Sequence, residues 1–297
     1  MTEKRLPSLA FVFLAYVVAL AVAAVVIRFT ETPFGAFVAG LAADVVATIV
    51  IFVFSMVYDN SSTYDPYWHV VPPVLYIYWV SRTGGLDDPR VALVLIVALV
   101  WSIRLTSNWV RDWPGMGHED WRYVEFREQF GKAYPAVSLG AIHMFPTAIV
   151  ALASVPAWLA VTTSGGGIGA WEILGTIVGL GGAVLSFIAD EQMRRHRRGG
   201  KGGVMAGGLW SLSRHPNYLG EIMFWFGLWF LALGASDRFW WAGAGAFAML
   251  AMFLFKSIPW MEEKIRRTRP EYADVVSAVP VLVPVPGRRM TPADETA

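Results

Sequence analysis

The richest run of chemistry-bearing residues is the stretch from Asp190 to Tyr218, DEQMRRHRRGGKGGVMAGGLWSLSRHPNY. Arg194, Arg195, Arg197 and Arg198 crowd into five positions where a long apolar run ends. A glycine-rich segment, 199–208, follows, and Ser213-Arg214-His215-Pro216-Asn217-Tyr218 leads straight into the next apolar run. Arginine grips phosphate through paired N–H groups, and the first turn of a helix leaves backbone N–H groups unpaired. Together these features suit an anionic, phosphate-bearing cofactor with an aromatic base. A basic cluster beside a membrane helix is also the usual determinant of topology, so the arginines alone do not decide between the two roles.

The elements that must hold this segment are membrane helices. Of 297 residues, 56% are hydrophobic and 16% charged, against about 25% charged in soluble domains. Apolar stretches occupy roughly 8–29, 35–58, 68–82, 89–110, 140–163, 168–192, 216–234 and 238–258, most of them near the ~20 residues that span hydrocarbon. The third is short and carries Pro72 and Pro73, so it could be tilted or only half inserted. The predicted fold is an all-α, polytopic integral membrane helical bundle with seven to eight transmembrane helices, eight favoured. No Rossmann sheet is expected, because no G-x-G-x-x-G follows a strand and no Walker loop is present.

Charge supports the count of eight. That topology puts 19 Lys and Arg on the side of the N-terminus and 4 on the other, with Arg104 inside a span. The bias fits a bacterial inner-membrane protein with both termini cytoplasmic. The first apolar run lacks a small-residue cleavage site and reads as an anchor. There are no cysteines, which removes disulfides, thiolate nucleophiles and cysteine metal sites, and no metal site is expected. Net charge is +1 and the basic residues sit in interhelical loops, so nucleic acid is not an expected partner. The chain reads as one membrane domain, 1–297. It has N-terminal helices over 8–110, an interfacial stretch over 111–139, C-terminal helices and loops over 140–280, and an extended or disordered tail over 281–297.

Ionisable residues within spans cost about 2.5–3.5 kcal/mol on insertion scales and are functional candidates by default. Asp44, Arg104 and Glu221 qualify, with Asp65 and Asp190 near span ends. Asp44 and Arg104 could simply pair. Asp65-Pro66 has the form of a helix start, Asp as N-cap and Pro at the first helical position. Alternatively Asp65, beside Tyr64 and Trp68, is a buried acid that stays protonated and donates to a carbonyl. His69, one turn on, could share the proton. Glu221 lies four residues after Asn217, on one side of the helix, next to Tyr218. It could meet Arg214, His215 or a loop arginine as a helix-start salt bridge, or orient a cofactor.

Ser213-Arg214-His215-Pro216-Asn217-Tyr218-Leu219-Gly220-Glu221 resembles a motif shared by two groups of membrane enzymes. One is the steroid 5α-reductase family with its bacterial relatives, which uses NADPH. The other is the isoprenylcysteine carboxyl methyltransferase group, which uses S-adenosylmethionine. The resemblance to the first extends over roughly 40–280. It takes in Asp190, Arg194 and Arg197, Gly207-Gly208-Leu209, Tyr64-Asp65-Pro66-Tyr67-Trp68, Trp101 to Arg104, and Glu119-Asp120-Trp121-Arg122-Tyr123. It implies that Asp190, Arg194, Arg197, Asn217 and Glu221 line an NADPH site, with Arg198 on the phosphates, His215 and Tyr218 from the motif, and Arg111 from the next polar loop. It also implies that Asp65 is the catalytic acid engaging a substrate ketone. The tyrosine that partners this acid in the animal enzymes corresponds here to Trp101, whose indole cannot supply a proton. Tyr64, Tyr76, Tyr78 and His69 are the candidates left.

The expected activity is hydride transfer from NADPH to the β-carbon of an α,β-unsaturated ketone, a 3-oxo-Δ4 steroid or similar flat lipid. The substrate would enter from the bilayer into the helices of 8–110, and NADPH would bind the 140–280 half from the cytoplasm. The alternatives are an S-adenosylmethionine-dependent methyltransferase and a sterol-binding scaffold without catalysis. The arginine excess favours the reductase, since S-adenosylmethionine has no phosphate.

Overall fold

The computed structural model describes residues 5–83, 85–163, 165, 167–200 and 203–290, with Leu86 described by its backbone alone. Helix α1 (Arg5–Val57) bends at Gly35, whose φ of 79° suits glycine alone, two residues after Pro33. Two of the predicted apolar stretches therefore lie on one bent helix. Helix α2 (Tyr67–Thr83) runs through Pro72 and Pro73 without a break. Helix α3 (Pro89–Asp112) starts with Asp88 as N-cap and Pro89 at its first position. Helix α4 (Trp121–Phe130) is capped by the Asp120 carboxylate, which accepts from the Arg122 N–H. Helix α5 (Tyr134–Val137) continues through a π-helical turn, Ser138–Met144, into α6 (Phe145–Thr162).

After residue 167 come α7 (Ala170–Arg198), α8 (Pro216–Ala235), α9 (Ala244–Met252), α10 (Ile258–Thr268) and α11 (Tyr272–Ala278). Among the described residues, six helical runs are long and apolar enough to cross a membrane, and there is no sheet beyond an isolated Val285–Arg288 bridge. All eight apolar stretches seen in the sequence are helical once the two arms of α1 and the 17-residue α2 are counted separately. Large apolar side chains such as Phe13, Ile103 and Ile177 lie exposed along these helices, as lipid-facing positions require. The protein is an all-α polytopic membrane protein.

The chain forms two compact units, 1–167 and 168–297. Helix α6 packs on α2 and α3 in the first unit, although the sequence division at 140 groups it with the C-terminal half. In the second unit α7 and α8 make close backbone contact through glycine. A Cβ on Gly227 would lie 2.7 Å from the Cα of Gly179 and 2.8 Å from the carbonyl oxygen of Gly175. Small residues at such spacing let membrane helices gain dispersion and backbone contacts that larger side chains would prevent. The tail beyond Pro280 is ordered as far as Met290. Leu282 is buried, and the Pro280 carbonyl accepts from the Arg214 N–H at 2.9 Å. Residues 291–297 lie outside the described part.

Candidate functional site

In the first unit a polar turn stands at the end of α1. Asn60, Ser61, Ser62 and Thr63 are almost completely buried, an environment polar groups tolerate only when hydrogen-bonded. Thr63 is paired with Ser55 and Tyr16, and Ser61 Oγ with Tyr134 and Ser138, while residues 116–123 supply the other partners. The Asn60 side-chain amide donates to the carbonyls of Met116 and His118, both at 2.9 Å. The Glu119 carboxylate accepts from the Ser61 N–H at 2.7 Å, and Ser62 Oγ accepts from the Asp120 N–H at 2.8 Å. Arg127 Nε closes the clamp on Glu119 at 2.7 Å. Two motifs far apart in sequence, around Asp65 and around Tyr123, are thereby pinned to each other.

The clamp sets Asp65 against Tyr123, whose hydroxyl donates to Asp65 Oδ1 at 2.5 Å. Asp65 is not the N-cap that its place before Pro66 suggests. Its backbone is helical, it closes the short turn Ser61–Tyr64, and its carboxyl is taken by Tyr123. Burial pushes the Asp65 carboxyl up from its ordinary value to about 7, and the neighbouring Asp120 charge adds to this. Arg122 and the Tyr123 hydrogen bond hold it back from rising further. Near neutral pH the group is therefore poised between donor and acceptor.

The proton donors suggested by sequence are mostly engaged elsewhere. Tyr64 bonds Thr147 at 2.8 Å, Tyr76 donates to Ser154 at 2.9 Å, and His69 Nδ1 meets Thr106 at 3.2 Å. Trp101 is fully buried and packs edge-on against Trp68. Tyr123 is the residue sequence reasoning missed. It belonged to a motif already singled out, but 58 positions separate it from Asp65 and no spacing rule joins them.

Beside this pair lies an apolar cavity of about 500 Å³, lined by both arms of α1, by α2 and by the last turns of α3. That volume falls in the range of small-molecule sites, about 300–1,000 Å³. Pro66 and Tyr67, the two residues after Asp65, form part of its wall. Asp44 lines it too, with Oδ1 accepting from the Tyr67 hydroxyl at 2.9 Å. The expected Asp44–Arg104 pairing is thus replaced by Asp44–Tyr67, because α2 offers the nearer donor. Arg104 lies close enough to His69 to act on it electrostatically. Arg111 is exposed in the last turn of α3.

In the second unit Asp190 is half-buried on α7 and Arg194, one turn on, is buried with Nη1 2.7 Å from Glu191. Arg197 and Arg198 are exposed, in contrast to the buried Arg194. They occupy the last turn of α7, beyond the glycine contacts that bury its middle. The described end of the glycine-rich loop is tied back to α7. Leu209 N–H donates to Gln192 Oε1 at 2.9 Å and Trp210 Nε1 donates to the Ala189 carbonyl at 3.0 Å. Gly208 has a φ of 60° and the Gln192 amide packed where a Cβ would stand, so no other residue fits the turn.

His215 is buried at the start of α8, stacked on Tyr218 with ring centroids 5.4 Å apart. Asn217 is held by its backbone, its carbonyl accepting from Ser186 Oγ at 2.8 Å, and Glu221 is buried one turn later. Arg214 and His215, expected to meet Glu221, converge instead on Glu262 of α10, at 3.2 and 2.8 Å. Tyr272 donates to the same carboxylate at 3.2 Å. Glu262 shares the helix face of Ile258 and Ile265, a sign of burial that the sequence carried and the reading passed over.

A family model described as "Protein of unknown function (DUF1295)" matches residues 51–279. An uncharacterized protein of Schizosaccharomyces pombe is 26% identical over 226 residues, which cover 68% of this chain and 66% of the yeast protein. No solved structure matches the chain. With most of its length matched, including Asp65, Tyr123 and the basic end of α7, the chain belongs to the DUF1295 family.

Proposed function

We propose that the protein is an NADPH-dependent reductase that saturates the carbon–carbon double bond of an α,β-unsaturated ketone on a steroid-like lipid. The observation that carries this reading is the 2.5 Å hydrogen bond between Tyr123 and Asp65, next to the wall of an apolar cavity. An acid that is protonated near neutral pH can donate to a ketone oxygen and stabilise the negative charge that gathers there as the β-carbon is reduced. Tyr123 fixes the orientation of that acid by donating to its Oδ1. The Glu119 clamp keeps both residues in place, so little reorganisation is required when charge develops.

The second unit has donors suited to a dinucleotide's phosphates. Arg197 and Arg198 are exposed at the end of α7, and His196 Nε2 is buried without a hydrogen-bond partner among the described residues. Asn217, in the first turn of α8, adds a backbone N–H group, while His215 stays fixed on Glu262. When bound, the reduced nicotinamide supplies the hydride. In this reading the protein lies in a bacterial inner membrane with both termini cytoplasmic, which the distribution of Lys and Arg favours.

The test is to purify the full chain in detergent and identify the nucleotide that comes with it by mass spectrometry. NADP(H) in the preparation, with NADPH consumption on adding a 3-oxo-Δ4 steroid, is the expected result. S-adenosylmethionine bound in its place, with no NADPH consumption, would turn the assignment to the methyltransferase alternative.

A further inference from the structure

We infer that Asp44 and Tyr67 form a polar anchor inside the cavity of the first unit, and that the lipid bound there carries a hydroxyl group. Asp44 sits in the second arm of α1, deep in apolar surroundings and only 6% exposed. Among the described residues its carboxyl receives one side-chain hydrogen bond, from Tyr67 to Oδ1 at 2.9 Å. The other oxygen is left without a donor. A carboxyl oxygen in that state on an apolar cavity wall carries a desolvation cost that a bound ligand can remove. The wall of the same cavity contains two further groups without a hydrogen-bond partner among the described residues, the indole N–H of Trp109 and the hydroxyl of Tyr78. The rest of the lining is almost wholly apolar, with side chains such as Val12, Val71 and Leu75.

An acceptor on Asp44 and donors on Trp109 and Tyr78 within an otherwise greasy pocket match the chemistry of an alcohol, which both donates and accepts. A ketone only accepts, so it pairs with Asp44 only while the acid is protonated, whereas an alcohol pairs with either form; a hydrocarbon satisfies none of these groups. Sites built to hydrogen-bond a hydroxyl discriminate against the analogue lacking it because their own polar atoms are then stranded. The geometry thus assigns the cavity to a neutral lipid alcohol, with the Asp44 anchor separate from the Asp65–Tyr123 pair. Its consequence for catalysis rests on the reductase reading. There the substrate would present an enone to Asp65 and its hydroxyl to Asp44.

The test uses three steroids of one skeleton: 17β-hydroxyandrost-4-ene, which has the alcohol and no ketone; androst-4-ene-3,17-dione, which has ketones and no alcohol; and testosterone, which has both an enone and an alcohol. Equilibrium binding to the detergent-purified full chain is measured for the native protein, Asp44→Leu, Asp44→Asn and Tyr67→Phe. The native protein should bind the two alcohols about tenfold more tightly than the dione. Asp44→Leu should abolish that preference, Asp44→Asn, whose free amide N–H also donates to a ketone, should reduce it, and Tyr67→Phe should weaken it. Circular dichroism and thermal unfolding of each variant separate loss of fold from loss of recognition. Binding of 17β-hydroxyandrost-4-ene needs no reduction. An Asp44-dependent preference for it without turnover of testosterone would uphold the anchor and remove the reductase. Equal binding of alcohols and dione by native protein, or a preference that survives Asp44→Leu in folded protein, would overturn the anchor.

Discussion

In the first unit the functional candidates are buried and tied down. The turn 60–65 is paired with residues 116–123 and with side chains of Tyr16, Ser55, Tyr134 and Thr147, and Asp65 meets Tyr123 beside them. In the second unit the helices are fixed by glycine contacts and by Glu262, while Arg197 and Arg198 stand exposed at the end of α7. The contrast follows from what each region would handle. A carbonyl is polarised only by groups already aimed at it in a dry place, whereas exposed guanidinium groups need only be within reach of phosphate. Rigidity is placed where charge is made, and exposed charge where a ligand must be captured.

If that contrast is right, truncating the buried acid should be far more damaging than truncating an exposed arginine. Asp65→Ala should lower turnover about a hundred- to a thousandfold, the range for losing one stabilising donor at a developing oxyanion. NADPH affinity should be unchanged, and a parallel loss of nucleotide binding would mark Asp65 as structural. Tyr123→Phe should lose about a hundredfold, and the double variant should be no worse than Asp65→Ala, since residues acting as a unit are non-additive. Fully multiplicative losses would separate the two roles.

The fixed part of the second unit can be stressed in turn. Gly227→Ala should destabilise it by about 1–3 kcal/mol through overpacking, because the atoms facing the new methyl are backbone and cannot yield. Thermal unfolding in detergent reads this directly, and an unchanged midpoint would mean that α7 and α8 are not in such close contact. Arg197→Ala should raise the Kd for NADPH about tenfold, the scale of one charge-assisted hydrogen bond. No change would suit a lipid-binding scaffold better than a reductase.

A pH profile refines the same contrast. With the Asp65 carboxyl raised to about 7, the donating form exists below that pH and is lost above it. Turnover at limiting substrate should therefore be level below about pH 7 and fall about tenfold per unit above it. Asp65→Asn, which can donate at any pH, should lack that limb.

Much of the fold was legible because hydrophobic runs of membrane-spanning length report directly on helices in a bilayer. The residues of 213–221 and Asp65 stand out in the sequence by type, and the structure adds their neighbours. Pairings across long sequence distances were not legible. Nothing in spacing links Tyr123 to Asp65, or Tyr67 rather than Arg104 to Asp44, because those contacts depend on how helices pack. Nor could the sequence tell that Arg214 and His215 serve Glu262, since Glu262 reads as one more charge in a charged helix until the face it occupies is considered. The arginines of α7 looked alike in sequence, and their burial separates them: Arg194 points inward and Arg197 and Arg198 outward.

The most direct measurement is isotope transfer. Purified protein would be given a 3-oxo-Δ4 steroid and NADPH carrying deuterium at the transferable position of the nicotinamide, and the steroid analysed by mass spectrometry and NMR. The account predicts a saturated ketone with a single deuterium on the former β-carbon, formed by native protein and not by Asp65→Ala. An unchanged steroid in the presence of bound NADPH, or a saturated product without the label, would contradict it.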